Sequence, residues 1–76
     1  MYVYIDDGFY FDNDGVETSV RPYWLRVDAI TEFQGYDGPG FEGETTEFWV
    51  SGDEGPRRCW CTPEEFAERL AEAEGR

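Results

Sequence analysis

The sequence has no histidine and no lysine, and its only basic side chains are 6 arginines. Without histidine it lacks the side chain whose ordinary pKa suits general acid–base work near neutral pH. Without lysine it can form no Schiff base and cannot make the P-loop lysine contact to phosphate. Cysteine is limited to Cys59 and Cys61, too few for a tetrahedral zinc site built of thiolates and imidazoles, or for the disulfide frameworks of small secreted domains. No stretch approaches the roughly 20 apolar residues that cross a bilayer, and Met1–Ile5 has neither the basic segment nor the apolar run of a signal peptide. These absences point away from an enzyme and from metals or other cofactors. They also point away from membranes and toward a cytoplasmic binding protein.

What is abundant is acid. Asp and Glu number 18 in 76 residues, so the formal charge is -12 at pH 7. Disordered acidic chains are poor in aromatic residues, whereas this one is 18% aromatic and 39% apolar. It is therefore expected to fold as one domain over residues 1–76, with a small core that buries only about 60% of the surface of the unfolded chain. The burial of its Trp, Tyr and Phe side chains must outweigh the self-repulsion of the excess anions.

Local patterns define the elements. Tyr2–Ile5 alternates, Asp6-Asp7-Gly8 has turn chemistry, and Phe9–Phe11 reads as the return strand of a hairpin. Asp12-Asn13-Asp14-Gly15 is a second turn cluster, followed by a short strand within Val16–Val20 that ends near Pro22. Tyr23–Val27 alternates again, and Ala29, Ile30 and Phe33 then break the period of two, which predicts a bend or bulge near Asp28. Residues 34–44, with Gly35, Gly38, Pro39, Gly40 and Gly43, have the composition of an exposed, mobile loop. In Thr45–Ser51, Thr46, Phe48 and Val50 alternate with Glu47, Trp49 and Ser51. The turn Gly52–Pro56 leads to a partner strand, Arg57–Cys61.

Thr62-Pro63-Glu64-Glu65 is a capping box with proline at the first helical position. It opens a helix over 62–74 whose stripe Phe66, Ala67, Leu70 and Ala73 must dock on the sheet, since a helix this short does not persist alone in water. The expected fold class is α+β: a small antiparallel β-sheet of four to five strands, built of hairpins as a meander over 1–61, packed against one C-terminal helix.

Several motifs could carry chemistry. Cys59-x-Cys61 on a strand places both sulfurs on one face, without the further ligands zinc requires; the pair reads as small buried thiols, with poor geometry for a disulfide. Asp12-Asn13-Asp14-Gly15 invites a calcium reading, but Tyr10 stands where the first ligand belongs and Glu17 comes too early to close the loop. Arg57-Arg58 is no basic stripe for direct nucleic-acid binding, and pairs more naturally with cross-strand carboxylates such as Glu47.

The acids themselves remain. A dense array of carboxylates on a rigid scaffold looks, to an Arg/Lys-lined groove, like a phosphate backbone, and long-range attraction speeds the encounter. The candidate partner-binding residues are Asp12, Asp14, Glu17, Asp37, Glu42, Glu44, Glu47, Asp53 and Glu54. The partner is a basic protein, and the chain is expected to be a monomer or weak dimer. In size, acidity and wealth of Tyr and Trp, the whole chain resembles the anti-CRISPR proteins of phages and mobile elements, several of which mimic DNA. Those families share no common motif, so no residue is carried over. The resemblance implies inhibition by occupying the basic nucleic-acid channel of a Cas effector complex. The alternative is an adaptor that docks a protein through an exposed aromatic patch including Trp24, Trp49 or Tyr36. Separately, Val27-x-x-Ile30, the Thr45–Gly52 strand and turn, and Thr62-Pro63-Glu64-Glu65-Phe66 with Leu70 are similar in order and spacing to short flagellar-operon proteins of the FlbD type. That similarity implies a β-meander closed by one helix.

Overall fold

The alternation at the N-terminus resolves into β1 (Tyr2–Ile5), with Val3 and Ile5 buried and Tyr2 and Tyr4 exposed. In the computed structural model, which describes residues 1–36 and 45–75, β1 is followed by β2 (Gly8–Phe11), β3 (Glu17–Ser19) and β4 (Tyr23–Arg26). A 3-10 turn at Val27–Ala29 then leads into β5 (Ile30–Tyr36), β6 (Thr45–Val50), β7 (Arg57–Cys59) and α1 (Pro63–Glu74). The fold class is α+β, as the sequence patterns indicate, with more strands than the four to five expected.

The first hairpin is not the expected one. β1 and β2 do not pair with each other; they are successive parts of one arm. β1 pairs with β4, from Tyr2 opposite Arg26 to Ile5 opposite Tyr23. β2 pairs with β3 in the same uninterrupted register, from Phe9 opposite Ser19 to Phe11 opposite Glu17. The reversal is at the tip, where the Asp12 amide donates to the Val16 carbonyl at 3.0 Å and Gly15 takes φ +79°, a left-handed conformation that glycine adopts without steric cost. Asp6-Asp7-Gly8 is a corner at which the arm passes from one sheet to the other. Turn-forming residues permit a sharp change of direction but do not say whether the chain doubles back.

The larger sheet has the order β3-β2-β7-β6-β5, and β1 and β4 form a two-stranded sheet. Since β1 runs into β2 and β4 runs through the 3-10 turn into β5, the two sheets are joined at two corners and close round a shared core. The corners are tied by backbone bonds from the Trp60 amide to the Asp7 carbonyl at 3.0 Å and from the Ser51 amide to the Ala29 carbonyl at 2.8 Å. The expected bend near Asp28 is the 3-10 turn, and a register shift follows between Ile30 and Glu32.

β5 reaches further than its composition indicates. Gln34, Gly35 and Tyr36, assigned above to the loop, pair with Glu47, Thr46 and Thr45; the rest of that loop, 37–44, lies outside the described residues. Gly35 has a steric reason, because a Cβ there would come within 3.3 Å of the Pro63 ring that starts the helix. β6, central between β5 and β7, is buried on both faces from Thr45 to Phe48 instead of alternating.

At the helix start, the Thr62 hydroxyl accepts the Glu65 amide at 3.1 Å and the Glu65 carboxylate accepts the Thr62 amide at 3.2 Å. Phe66, fully buried, stacks on Phe48 with ring centres 4.9 Å apart and lies 5.0 Å from Phe33. Leu70 and Ala73 complete the docked stripe; Ala67, expected there, is exposed. The core gathers Val3, Ile5, Leu25, Phe48, Val50, Cys59, Cys61 and Phe66. Phe66→Ala is expected to cost about 4 kcal/mol, most of the stability of a domain this small. Urea unfolding followed by tryptophan fluorescence measures it, and the variant should be largely unfolded before denaturant is added.

Candidate functional site

The arginines are the first constraint on any acidic surface, because each can cancel a carboxylate. Arg69 on α1 makes a two-pronged contact with Asp7 at the first corner, at 2.9 and 2.8 Å. Arg57 donates to Asp53 at 2.7 Å across the β6–β7 turn and lies over the Tyr23 ring at 5.3 Å. Arg58 reaches Glu47 at 3.7 Å and covers the Tyr36 ring at 4.4 Å. Arg26 pairs with Asp28 at 3.0 Å. Arg57, Arg58 and Arg69 are all half-buried, so half of the 6 arginines are drawn in against the folded body. Arg21 is exposed and has no ion pair among the described residues.

These contacts move the ionisation of the groups they join. The hydrogen bond from Arg57 holds the Asp53 carboxyl below the usual value of 3.8, and the bond to Asp7 raises Arg69 above its already high value. Burial pushes the Tyr23 phenol up, against the opposing influence of Arg57.

The acids singled out by sequence fall into distinct places. Asp12, Asp14 and Glu17 are exposed at the β2–β3 hairpin tip. Asp12 has a local task there, since its Oδ1 accepts the amides of Asp14 and Val16, both at 2.9 Å. Asp53 and Glu54 occupy the β6–β7 turn beside Gly52, whose φ is +94°; Asp53 is engaged by Arg57, and Glu54 is exposed. Glu47 departs from the expectation of a partner-facing acid. It is 9% exposed, directly opposite Arg58 in the ladder, and its Oε1 accepts from the Gln34 side-chain Nε2 at 2.7 Å. The expected cross-strand pairing of Glu47 with the arginine pair is therefore realised through Arg58, and it holds the carboxylate inside the sheet. Asp37, Glu42 and Glu44 lie outside the described residues.

Sequence reasoning left the helix acids out of the candidate set. Glu64, Glu68 and Glu72 recur every fourth residue on α1 and are exposed, which makes a column of carboxylates with backbone positions about 6 Å apart. The signal was available in the spacing E-x-x-x-E-x-x-x-E immediately after the cap. The arrangement works against the helix. Like charges four apart repel, and Glu72 and Glu74 face the negative end of the helix dipole with no basic residue in the last turn.

An aromatic patch stands nearby. Tyr2, Tyr4 and Trp24 are exposed on the outer face of the β1–β4 sheet, Trp24 at 65%, with the Tyr4 and Trp24 rings 4.9 Å apart. Trp49 and Tyr36, the other aromatic candidates, are half-buried. The two sulfurs face each other at 3.3 Å in the core. The neighbouring sulfur and burial push the Cys59 thiol far up, so it stays protonated. Among the described residues, no group of three or more Cys, Asp or Glu side chains is disposed to hold a metal ion, and no helix is long and apolar enough to cross a membrane.

No family model, no curated protein and no solved structure matches the chain.

Both thiols are expected to resist alkylation by iodoacetamide at pH 8 in the folded protein and to react fully in denaturant, as mass spectrometry would read. A carboxyl-detected NMR titration should find Asp53 ionising below the usual value of 3.8, and Arg57→Gln should return it there. Because its folded pKa is the lower one, the Asp53–Arg57 contact supports the fold above pH ~4 and loses that support as pH falls through the folded value.

Proposed function

We propose that this protein is a non-enzymatic inhibitor that occupies the basic nucleic-acid channel of a protein complex, with a CRISPR-Cas effector as the target suggested by its resemblance to anti-CRISPR proteins. The observation that carries this reading is the partition of charge. Arg57, Arg58 and Arg69 are turned against the sheet and matched to carboxylates. Glu64, Glu68 and Glu72 stand exposed in a regular column whose mutual repulsion costs the helix stability. An acidic column kept at such a cost suits a cationic partner, and competition for phosphate-binding side chains needs no sequence readout, because phosphate contacts position a nucleic acid without specifying it. Asp14, Glu17 and Glu54 extend the exposed acids onto the hairpin tip and the β6–β7 turn.

The test uses guide-loaded Cas effectors and a labelled target duplex in filter-binding competition. The protein should displace the duplex at 50 mM salt and lose most of that effect at 500 mM, as charge-driven association requires. Glu68→Lys separates function from stability. It removes two like-charge contacts and adds two opposite ones, so the helix should gain about 1 kcal/mol while displacement weakens several-fold. A variant that is both more stable and equally inhibitory would overturn the reading.

A second reading, an adaptor docking through aromatic side chains, is favoured by the exposure of Trp24 beside Tyr4. It requires that Trp24→Ala abolish partner capture and that added salt change little.

A further inference from the structure

Where the β1–β4 sheet meets helix α1 lies a cleft of about 280 Å³, lined by Tyr2, Tyr4 and Trp24 of the strands, by Asp6 of the corner and by Arg69 and Glu72 of the helix. Pairing creates it. Tyr4 sits opposite Trp24 in the β1–β4 ladder, and Tyr2 is two residues along the same face, so strand periodicity puts three ring-bearing side chains on one surface. The Tyr4 and Trp24 rings are tilted by 47° and do not stack flat, so ring faces are left for another group. Helix α1 packs against β1 and contributes Arg69 and Glu72.

The charge of the cleft follows from its contacts. Arg69 is held by Asp7 through both terminal guanidinium nitrogens, Nη1 and Nη2, so its charge is matched. Asp6 and Glu72 are exposed and have no ion pair among the described residues. The cleft is therefore aromatic and anionic. Ring faces carry negative electrostatic potential and attract cations, guanidinium most often; two carboxylates at the rim supply acceptors whose geometry matches a guanidinium fork. The volume is below the range of drug-sized ligand pockets, so it suits one long side chain.

We propose that this cleft receives an arginine side chain of the basic partner, with the guanidinium lodged against Trp24 and Tyr4 and bonded to Asp6 or Glu72. The proposal rests on the reading that the partner surface is basic. It adds a fixed anchoring point to what would otherwise be a diffuse attraction. An arginine that contacts phosphate in a nucleic-acid channel is the natural occupant, because its guanidinium fork fits a carboxylate as it fits a phosphate.

The test is NMR titration of the full chain with an acetylated, amidated alanine pentapeptide containing one central arginine, and with its norleucine counterpart. The arginine peptide should move the Trp24 indole N–H and the amides of Tyr4 and Glu72 at millimolar concentration, and the norleucine peptide should not. Trp24→Leu should weaken binding about tenfold and Glu72→Gln a few-fold, while Glu32→Gln, exposed on β5 and outside the cleft, leaves it within twofold. Since Trp24 is exposed, its replacement should leave amide dispersion intact; if it does not, Glu72→Gln read at the Trp24 indole decides the matter alone. Shifts spread equally over Glu54, Glu64 and Glu68 with a stationary indole would overturn the proposal, as would equal effects of the norleucine peptide. Duplex displacement by a protein with an unresponsive indole would leave the inhibitor reading standing and remove only the anchor. Arginine capture without displacement would do the reverse.

Discussion

The seating of Phe66 on Phe48 is the contact on which the rest depends. α1 is 12 residues long and carries Glu64, Glu65, Glu68, Glu72 and Glu74, so neither length nor charge allows it to persist in water by itself. It exists because one ring enters the core between Phe48 and Phe33, with Leu70 and Ala73 following on the same stripe. The Arg69–Asp7 pair then pins the helix to the corner between β1 and β2. Apolar burial outweighs the repulsion, and the ion pair sets where the helix lies.

The same economy governs the charged surface. A chain with 6 arginines and 18 acids could have scattered its cations to dilute the field. Instead Arg57 and Arg58 lie over Tyr23 and Tyr36 and, like Arg69, are matched to nearby carboxylates. Each arginine stem covers apolar surface while its head cancels an acid close to the sheet. Among the described residues, the exposed acids without an ion pair include Glu64, Glu68 and Glu72 on the helix and Asp14, Glu17 and Glu54 at the ends of hairpins, with Asp6 at the corner and Glu32 on β5. Aromatic side chains follow a comparable division: Phe9, Phe48 and Phe66 are buried, while Tyr2, Tyr4 and Trp24 face outward from strands whose alternate residues, Val3, Ile5 and Leu25, make the core.

Much of this was legible in local pattern. The capping box, the Phe66–Leu70–Ala73 stripe, the bend near Asp28, the β6–β7 hairpin and the Glu47 pairing each rest on residues within a few positions of one another or on one cross-strand contact. Where local reading failed, the missing information was distant. Asp6-Asp7-Gly8 has the composition of a reversal, and only the register of Tyr2–Phe11 against Glu17–Arg26 shows it to be a corner. Gln34–Tyr36 has little to bury of its own and becomes strand because β6 offers a ladder. Glu47 looks like a surface acid until β5 and β7 close on either side of it.

From sequence alone came the lack of histidine and lysine, the excess of anions, the α+β class and the start of the helix, because composition, period and capping are properties of neighbouring residues. Tertiary structure decided which acids are left to solvent, which aromatic side chains gather beside the helix, and that one kinked hairpin joins two sheets. Those outcomes turn on long-range pairing, in which a residue's exposure is set by partners that its own neighbours do not specify.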